Sequence, residues 1–586
     1  MSRNEVTFIG QVIAVTGAVV TVNLKQDLNT SLVLVGGESY RLGQVGAFLR
    51  IPLGYNQLYG VCTQVGAAAI PEYVREAPDI NTRWLSITLF GEALGRKFER
   101  GVSQYPTVGD EVHLVTTKDL EVIYGSLGHA TPINVGVVSG SSGIPGQIDL
   151  DKLVSRHCAI IGATGAGKSN VTTVLLESIA DQGFPSARIL IIDPHGEYVS
   201  AFGDKAKIFR VSLDKNDPSA LFVPFWALPC DELFSVALGD MTPTAESQVR
   251  DEVVKRKQDS CAHLVNPPPL PAVSADSPIP FNIRKLWFDL DDYERHTIQD
   301  RTTGARAALV EAGNFAQLKS NVYPPPAPGN AAPYVGPRRG IPRQLDLLKS
   351  RLRDMRFAFL FDPGDKYSPD ADGKTQEDLD DLVATWVGHH QPITVLDVSG
   401  TPSEIMGTVV GTVLRIVYDT LFWAGDLPIS GTQQPLLVVL DEAHLFLAEG
   451  ENNSASRVVQ RIAKEGRKYG VGLCVVTQRP TEIDSTVLSQ CGSVIALRMT
   501  NGADRSKVSS ALADDLGNLS AIIPSLRTGE ALVIGETMPI PSRILFRKAM
   551  RKTTGHDPEI GKRWSAVNRP DPTHYKDALK KWRTQS

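Results

Sequence analysis

"CAIIGATGAGKSNVTTVLLESIA", residues 158–180, decides how the rest of this chain is read. Four apolar residues lead into a glycine-rich turn, and the turn leads into a segment of helical pattern. Gly162, Gly167, Lys168 and Ser169 fall at the spacing GxxxxGK[ST]. Between a buried strand and a helix, that spacing predicts a phosphate cradle. Glycines let backbone N–H groups wrap an anion, and the helix start adds its dipole. The turn Gly162, Ala163, Thr164, Gly165, Ala166 and Gly167 is therefore the candidate nucleotide loop. Lys168 is expected to reach the β- and γ-phosphates and Ser169 to ligate a magnesium ion, so ATP and Mg2+ are the implied cofactors.

A cradle of this kind needs an acid beside it. "LLVVLDEAHLF", residues 436–446, ends a buried strand on two carboxylates. Asp441 is expected to hold Mg2+, and Glu442 to orient and activate the attacking water. Without the loop upstream, the same acid pair would read as a helix cap. The letters DEAH also name a helicase superfamily with two RecA-like lobes on one chain. Here Asp441 follows Lys168 by 273 residues, and 145 residues remain after it. Those must complete the first sheet and leave no room for a second lobe. A single lobe has its site at the sheet edge, so the cation that stabilises the transferring phosphoryl group is expected from a neighbouring subunit, in a ring or filament. "RVVQRIAKEGRKYGVGLCVVTQRP", residues 457–480, reads as a helix, a turn and a buried strand. Gln478, at the strand end, is a candidate γ-phosphate sensor. Arg467 is a candidate finger, or equally a surface cation near a helix C-terminus.

The 586 residues exceed what one core usually holds, so more than one domain is expected. Residues 1–130 carry short alternating runs such as "GAVVTVNL", "GQVGAFLRIPLG" and "VGDEVHLVTT", and predict a small barrel or sandwich. From about 131, strands alternate with helices: "CAII", "ILII", "ITVLDV", "LLVVL", "GLCVVT", "SVIALRM" and "EALVIG" are expected to form a mostly parallel sheet. The α/β core is assigned to 131–214 and 386–550. Residues 215–385 interrupt it with helical segments and two proline-rich stretches. Residues 551–586 form a basic tail. Counted from Arg543 the end of the chain carries +8 and the rest −13, which suits a docking arm or a solvated helix end. The six scattered cysteines predict reduced thiols. With no signal-like start and no apolar run of about 18 residues, they point to a cytoplasmic protein away from the membrane.

The motifs together resemble the HerA branch of the HerA/FtsK family of DNA-translocating ATPases. The matching stretches are "IDLDKLVSRHCAIIGATGAGKSN", "ILIIDPHGEY", "VVLDEAHLF", "RIAKEGRKYGVGLCVVTQRP" and "IPSLRTGEALVIG", in family order from about 130 to 550. The resemblance implies a RecA-like P-loop core headed by a small β-barrel and carrying a helical insertion. It implies a homohexamer that threads double-stranded DNA through its pore and hydrolyses ATP between subunits. It carries the trans finger onto Arg467 and a second interfacial arginine onto Arg156. It also places Asp193 and Glu197 of "DPHGEY" near the nucleotide. A nuclease, or in bacterial anti-phage pairs a nuclease or sirtuin-like effector, is the implied partner, docking on the barrel. An ATP-gated scaffold that switches such an effector with little translocation is the second reading. The long 215–385 insertion departs from the family pattern.

Overall fold

The computed structural model describes residues 7–25, 32–35, 38–41, 44–67, 83–125, 131–139, 143–212, 217–329, 331–450, 453–511, 519–553, 560–565 and 571–584. Parts of the expected barrel (68–82) and basic tail (554–559, 566–570, 585–586) lie outside them. The chain divides into two compact units. One holds residues 1–187, 431–450 and 462–553; the other holds 188–430, 451–461 and 554–586.

The first unit begins with a closed antiparallel barrel. Its strands run in the order Val19–Leu24, Phe8–Thr16, Glu111–Leu114, Phe48–Leu53, Asn56–Ala67 and Arg83–Leu94, and the last pairs back onto the first. Closure removes the exposed edges that an open sheet of short strands would present. Ile9, Val12, Val20, Val22, Leu49, Ile51, Leu58, Leu85, Ile87 and Val112 fill the interior. Thr21, a polar position of the alternating run "GAVVTVNL", is also buried, and it pairs with Ser86.

Beyond the barrel, strands of the same unit lie side by side in the order Pro145–Asp149, Pro132–Val138, Ser542–Phe546, Glu530–Gly535, Ser493–Leu497, Cys158–Ile161, Val471–Thr477 and Leu436–Leu440. Cys158–Ile161 runs parallel to both of its neighbours, and Leu436–Leu440 is parallel to Val471–Thr477. Every residue of these four parallel strands is buried. That is why they read in sequence as continuous apolar runs rather than alternating ones.

The charge expected of a tail from Arg543 onward is partly core. Arg543 donates to Glu530 at 2.8 Å, Arg547 to Glu177 at 2.6 Å, and the Arg551 amide to Glu177 at 2.7 Å. Glu177 and Glu530 are fully buried, so the Arg543 and Arg547 guanidinium groups neutralise buried carboxylates, and Arg551 adds a backbone donor.

In the second unit, Ala206–Arg210, Ile393–Asp397 and Arg188–Asp193 form a parallel set. The insertion is mainly helical, with Cys230–Ala237, Pro243–Ser260, Ile283–Arg295, Pro342–Arg351 and Leu379–Val387. Two buried tryptophans pin it. Trp226 donates to the Tyr367 carbonyl at 3.0 Å and Trp287 to the Leu345 carbonyl at 3.1 Å. Helix Ser403–Trp423 is the one described helix long and apolar enough by composition to cross a membrane, and 61% of its apolar window is buried within the protein. Glu404, Arg415 and Asp419 interrupt its apolar residues, so no unbroken run marks it in the sequence.

Candidate nucleotide site and its arginines

Two ends of the parallel strands carry two different sets of residues. At the C-terminal ends, register places Ile161 opposite Thr477 and Ala496, and Leu440 opposite Val475. The residues that follow these positions, Gly162, Gln478 and Asp441–Glu442, therefore gather along one edge.

The loop from Gly162 to Gly167 is tied down by backbone bonds. The Gly162 amide donates to Thr477 at 3.3 Å, Ala163 to Arg498 at 3.0 Å, and Ala166 to Ala163 at 3.1 Å. The Gly529 amide, from the "LRTGE" turn, donates to the Ala166 carbonyl at 3.0 Å. Two glycines are required by this crowding. A Cβ at Gly162 would stand 2.7 Å from the Leu497 Cβ. Gly167 has φ +106 and would place a Cβ 3.1 Å from the Gly529 nitrogen. Helix Lys168–Asp181 starts directly after Gly167, and its first amides point toward the loop. Lys168 is buried in that turn. Gly165 also has a positive φ, and Thr164, beside it, donates its hydroxyl to the Gln478 side-chain oxygen at 2.5 Å. A bond between residues 314 apart in sequence thus joins the expected sensor to the loop.

Asp441 is buried at the end of its strand, and Glu442 follows in the left-handed region at φ 42, ψ 48. Non-glycine residues hold that conformation only where the surroundings impose it. Among the described residues no group of three or more His, Cys, Asp or Glu forms a metal cage. A magnesium ion does not need one. The hydroxyl of Ser169, the carboxylate of Asp441, phosphate oxygens and water are the hard oxygen donors it takes.

At the N-terminal ends of the same strands lie Arg156 and Arg467. Arg156 precedes Cys158–Ile161 and stands 3.5 Å from Glu536, an exposed pair worth under about 1 kcal/mol. Arg467 is exposed in the turn Gly466–Tyr469, ahead of Val471–Thr477. His157, next to Arg156, is bonded to the strand that follows Arg467. It sits at φ 56, buried, and its Nδ1 accepts the Leu473 amide at 3.0 Å. Burial lowers its pKa to about 4, so the ring is a neutral acceptor at ordinary pH. The seven residues of Val471–Thr477 put about 20 Å between Arg467 and the edge that carries Gln478.

Asp193 and Glu197 belong to the second unit. Asp193 is fully buried and receives the amides of His195 at 3.2 Å and Tyr198 at 2.9 Å. Burial raises its pKa, the three turn amides oppose that, and Asp397 beside it adds to the rise. Its carboxylate thus folds the "PHGEY" turn. Glu197 is half-buried in that turn.

Two residues of the nucleotide edge were not singled out from the sequence. Arg498 gives its carbonyl to Ala163, and the signal was a basic residue closing a buried strand. His444 packs against Glu442, and the signal was the last letter of DEAH.

Comparison with known proteins gives the family. The family described as "Helicase HerA, central domain" matches residues 133–417, and "Helicase HerA-like C-terminal" matches 373–544. The chain belongs to the HerA-like ATPases. A DNA double-strand break repair helicase HerA of Pyrococcus furiosus is 24% identical, over 79% of this chain and 78% of its own length. A probable DNA double-strand break repair helicase HerA of Methanocaldococcus jannaschii is 26% identical, over 78% of this chain and 84% of its own. Among solved structures, VirB4 of Thermoanaerobacter pseudethanolicus aligns over 72% of this HerA-like chain and 98% of its own, at 16% identity and TM-score 0.43.

Proposed function

We propose that this HerA-like ATPase is an ATP-driven double-stranded DNA translocase that acts as a homohexameric ring. Residues 162–169 cradle the nucleotide phosphates and Lys168 neutralises them. Magnesium, held by Ser169 and Asp441, supplies charge neutralisation on the phosphates. Glu442 takes the proton of the attacking water, and Gln478 senses the γ-phosphate through the loop it bonds.

The observation that carries this reading is the separation of charges along one set of strands. The cradle and its acids lie at the C-terminal ends; Arg467 and Arg156 lie at the N-terminal ends, about 20 Å away. A finger must touch the transferring phosphoryl group, so arginines at that end serve the site of a neighbouring copy. Two HerA relatives named for DNA double-strand break repair support DNA as the substrate. Within this reading the barrel of residues 1–130, which carries none of the catalytic residues, docks a nuclease or other effector. The core is 131–214 with 386–550, the insertion is 215–385, and 551–586 is a basic tail. A role in anti-phage defence and a cytoplasmic location belong to the same proposal.

The test is steady-state ATP hydrolysis by the purified protein with and without linear duplex DNA. If ATP turnover drives movement along DNA, linear duplex is expected to raise the rate. Hydrolysis indifferent to DNA at saturating ATP would instead favour a ring that only assembles and switches an effector.

A further inference from the structure

The catalytic reading leaves one feature of Glu442 unexplained. Its Oε2 is sealed from solvent and has no hydrogen bond among the described residues. A carboxylate oxygen in that state is disfavoured, because burial removes water and nothing replaces it. The backbone is also in the left-handed region, so the side chain is held there rather than resting there.

The nearest polar atom named for it is Nδ1 of His444, at 3.3 Å. Both side chains are mostly buried, at 14% and 9% exposure for Glu442 and His444. The same Nδ1 lies 3.4 Å from the Thr477 hydroxyl oxygen. That oxygen accepts the Arg479 amide at 3.0 Å and keeps its own proton to give. Nδ1 therefore stands between a donor and an acceptor. When the Thr477 hydroxyl donates to it, the Nδ1 lone pair is taken up by that bond, no proton faces Oε2, and the carboxylate stays unbonded. When the ring carries its proton on Nδ1, it donates to Oε2.

Thr477 is not a neutral spectator. Its carbonyl accepts the Gly162 amide, and the next residue, Gln478, is bonded to Thr164 in the cradle. His444 thus links the acid that activates water to the strand end that reads the loop.

We propose that His444 is a positioning residue for hydrolysis: its Nδ1–H holds Oε2 of Glu442, turning Oε1 to the attacking water, and Thr477 competes for the same nitrogen. The inference rests on Glu442 being the residue that activates water. The link gives the cradle a way to set the orientation of Glu442 without touching it.

The test is ATP hydrolysis by the full chain with linear duplex DNA present, for His444→Ala, His444→Asn and His444→Gln, beside Glu442→Gln. An asparagine amide nitrogen falls near the Nδ1 position; a glutamine amide reaches toward Nε2. His444→Ala is expected to lower kcat by about 10- to 100-fold with KM for ATP within about twofold. His444→Asn is expected to recover most of the rate, and His444→Gln little of it. A His444→Ala rate equal to the unsubstituted protein overturns the proposal. So does a loss in which Asn is no better than Ala, or in which KM rises as much as kcat falls, since those mark a packing role. Turnover that survives Glu442→Gln would instead sink the catalytic reading of Glu442. An inactive Glu442→Gln beside an unaffected His444→Ala sinks only the role of the histidine.

Discussion

Lys168 and Glu442 share one edge of one sheet and are expected to fail differently when removed. Lys168 is the cradle's own cation, buried in the turn that wraps the phosphates. Lys168→Ala is expected to weaken nucleotide binding at least tenfold and to abolish hydrolysis. Glu442→Gln keeps the shape of the side chain and removes its basicity, so binding should stay within about threefold while turnover disappears. Titration with a fluorescent ATP analogue, beside a phosphate-release assay, separates the two. Equal losses of affinity would contradict the division of roles. At this scale the sequence was a good guide wherever neighbours in sequence are neighbours in space. The loop and the acid pair each occupy a few consecutive residues, and spacing alone located them. His444 was passed over because its role depends on Thr477, 33 residues away and on another strand. The bonds that the Asp193 carboxylate accepts from the amides of His195 and Tyr198 lie within its own turn and were legible only as an acid just ahead of a glycine-containing turn.

The turn Arg527–Gly529 shows how an element is held over the cradle. Gly529 touches it directly, and the turn is anchored by Glu530, fully buried between Arg527 at 3.2 Å and Arg543 at 2.8 Å. Burial alone would raise the Glu530 pKa, but the Ser139 hydroxyl, the amide and side chain of Arg527 and the Arg543 charge prevail and hold it at about 2. A carboxylate with a lowered folded pKa stabilises the fold above its unfolded value, near 4.5, and loses that contribution as pH falls toward 2. The shift sets an upper bound of about 3 kcal/mol. Glu530→Gln is expected to lower Tm at pH 7 and to flatten the acid dependence of Tm between about pH 4.5 and 2. Thermal melts across that range check it, and an unchanged acid slope would show that Glu530 is not the group responsible. Charges such as these explain where the sequence misled. Arg543 and Arg547 look like the start of a solvated basic tail, and only the buried carboxylates opposite them show that they belong to the core. The parallel strands, by contrast, were legible because each is buried on both faces and so is apolar throughout. The barrel's closure was not, because it depends on Val19–Leu24 meeting Arg83–Leu94, a pairing across some sixty residues that alternation cannot specify.

For the whole molecule, the proposed function requires that a complete catalytic site be shared between two copies of this chain. One copy supplies the cradle, Asp441, Glu442 and Gln478; the next supplies Arg467, with Arg156 beside it. The geometry behind the claim is the parallel run that separates the two ends of each strand. Arg467→Ala and Glu442→Gln proteins should each be inactive alone. In a mixed ring, an interface whose nucleotide lies in the Arg467→Ala copy and whose neighbour is the Glu442→Gln copy has both residues intact. The most direct measurement is ATP hydrolysis by the two proteins mixed at varied ratios, with subunit exchange followed by native mass spectrometry. The account expects activity to appear on mixing and to peak near equal proportions. A mixture that stays inactive at every ratio while mixed assemblies are present would contradict it.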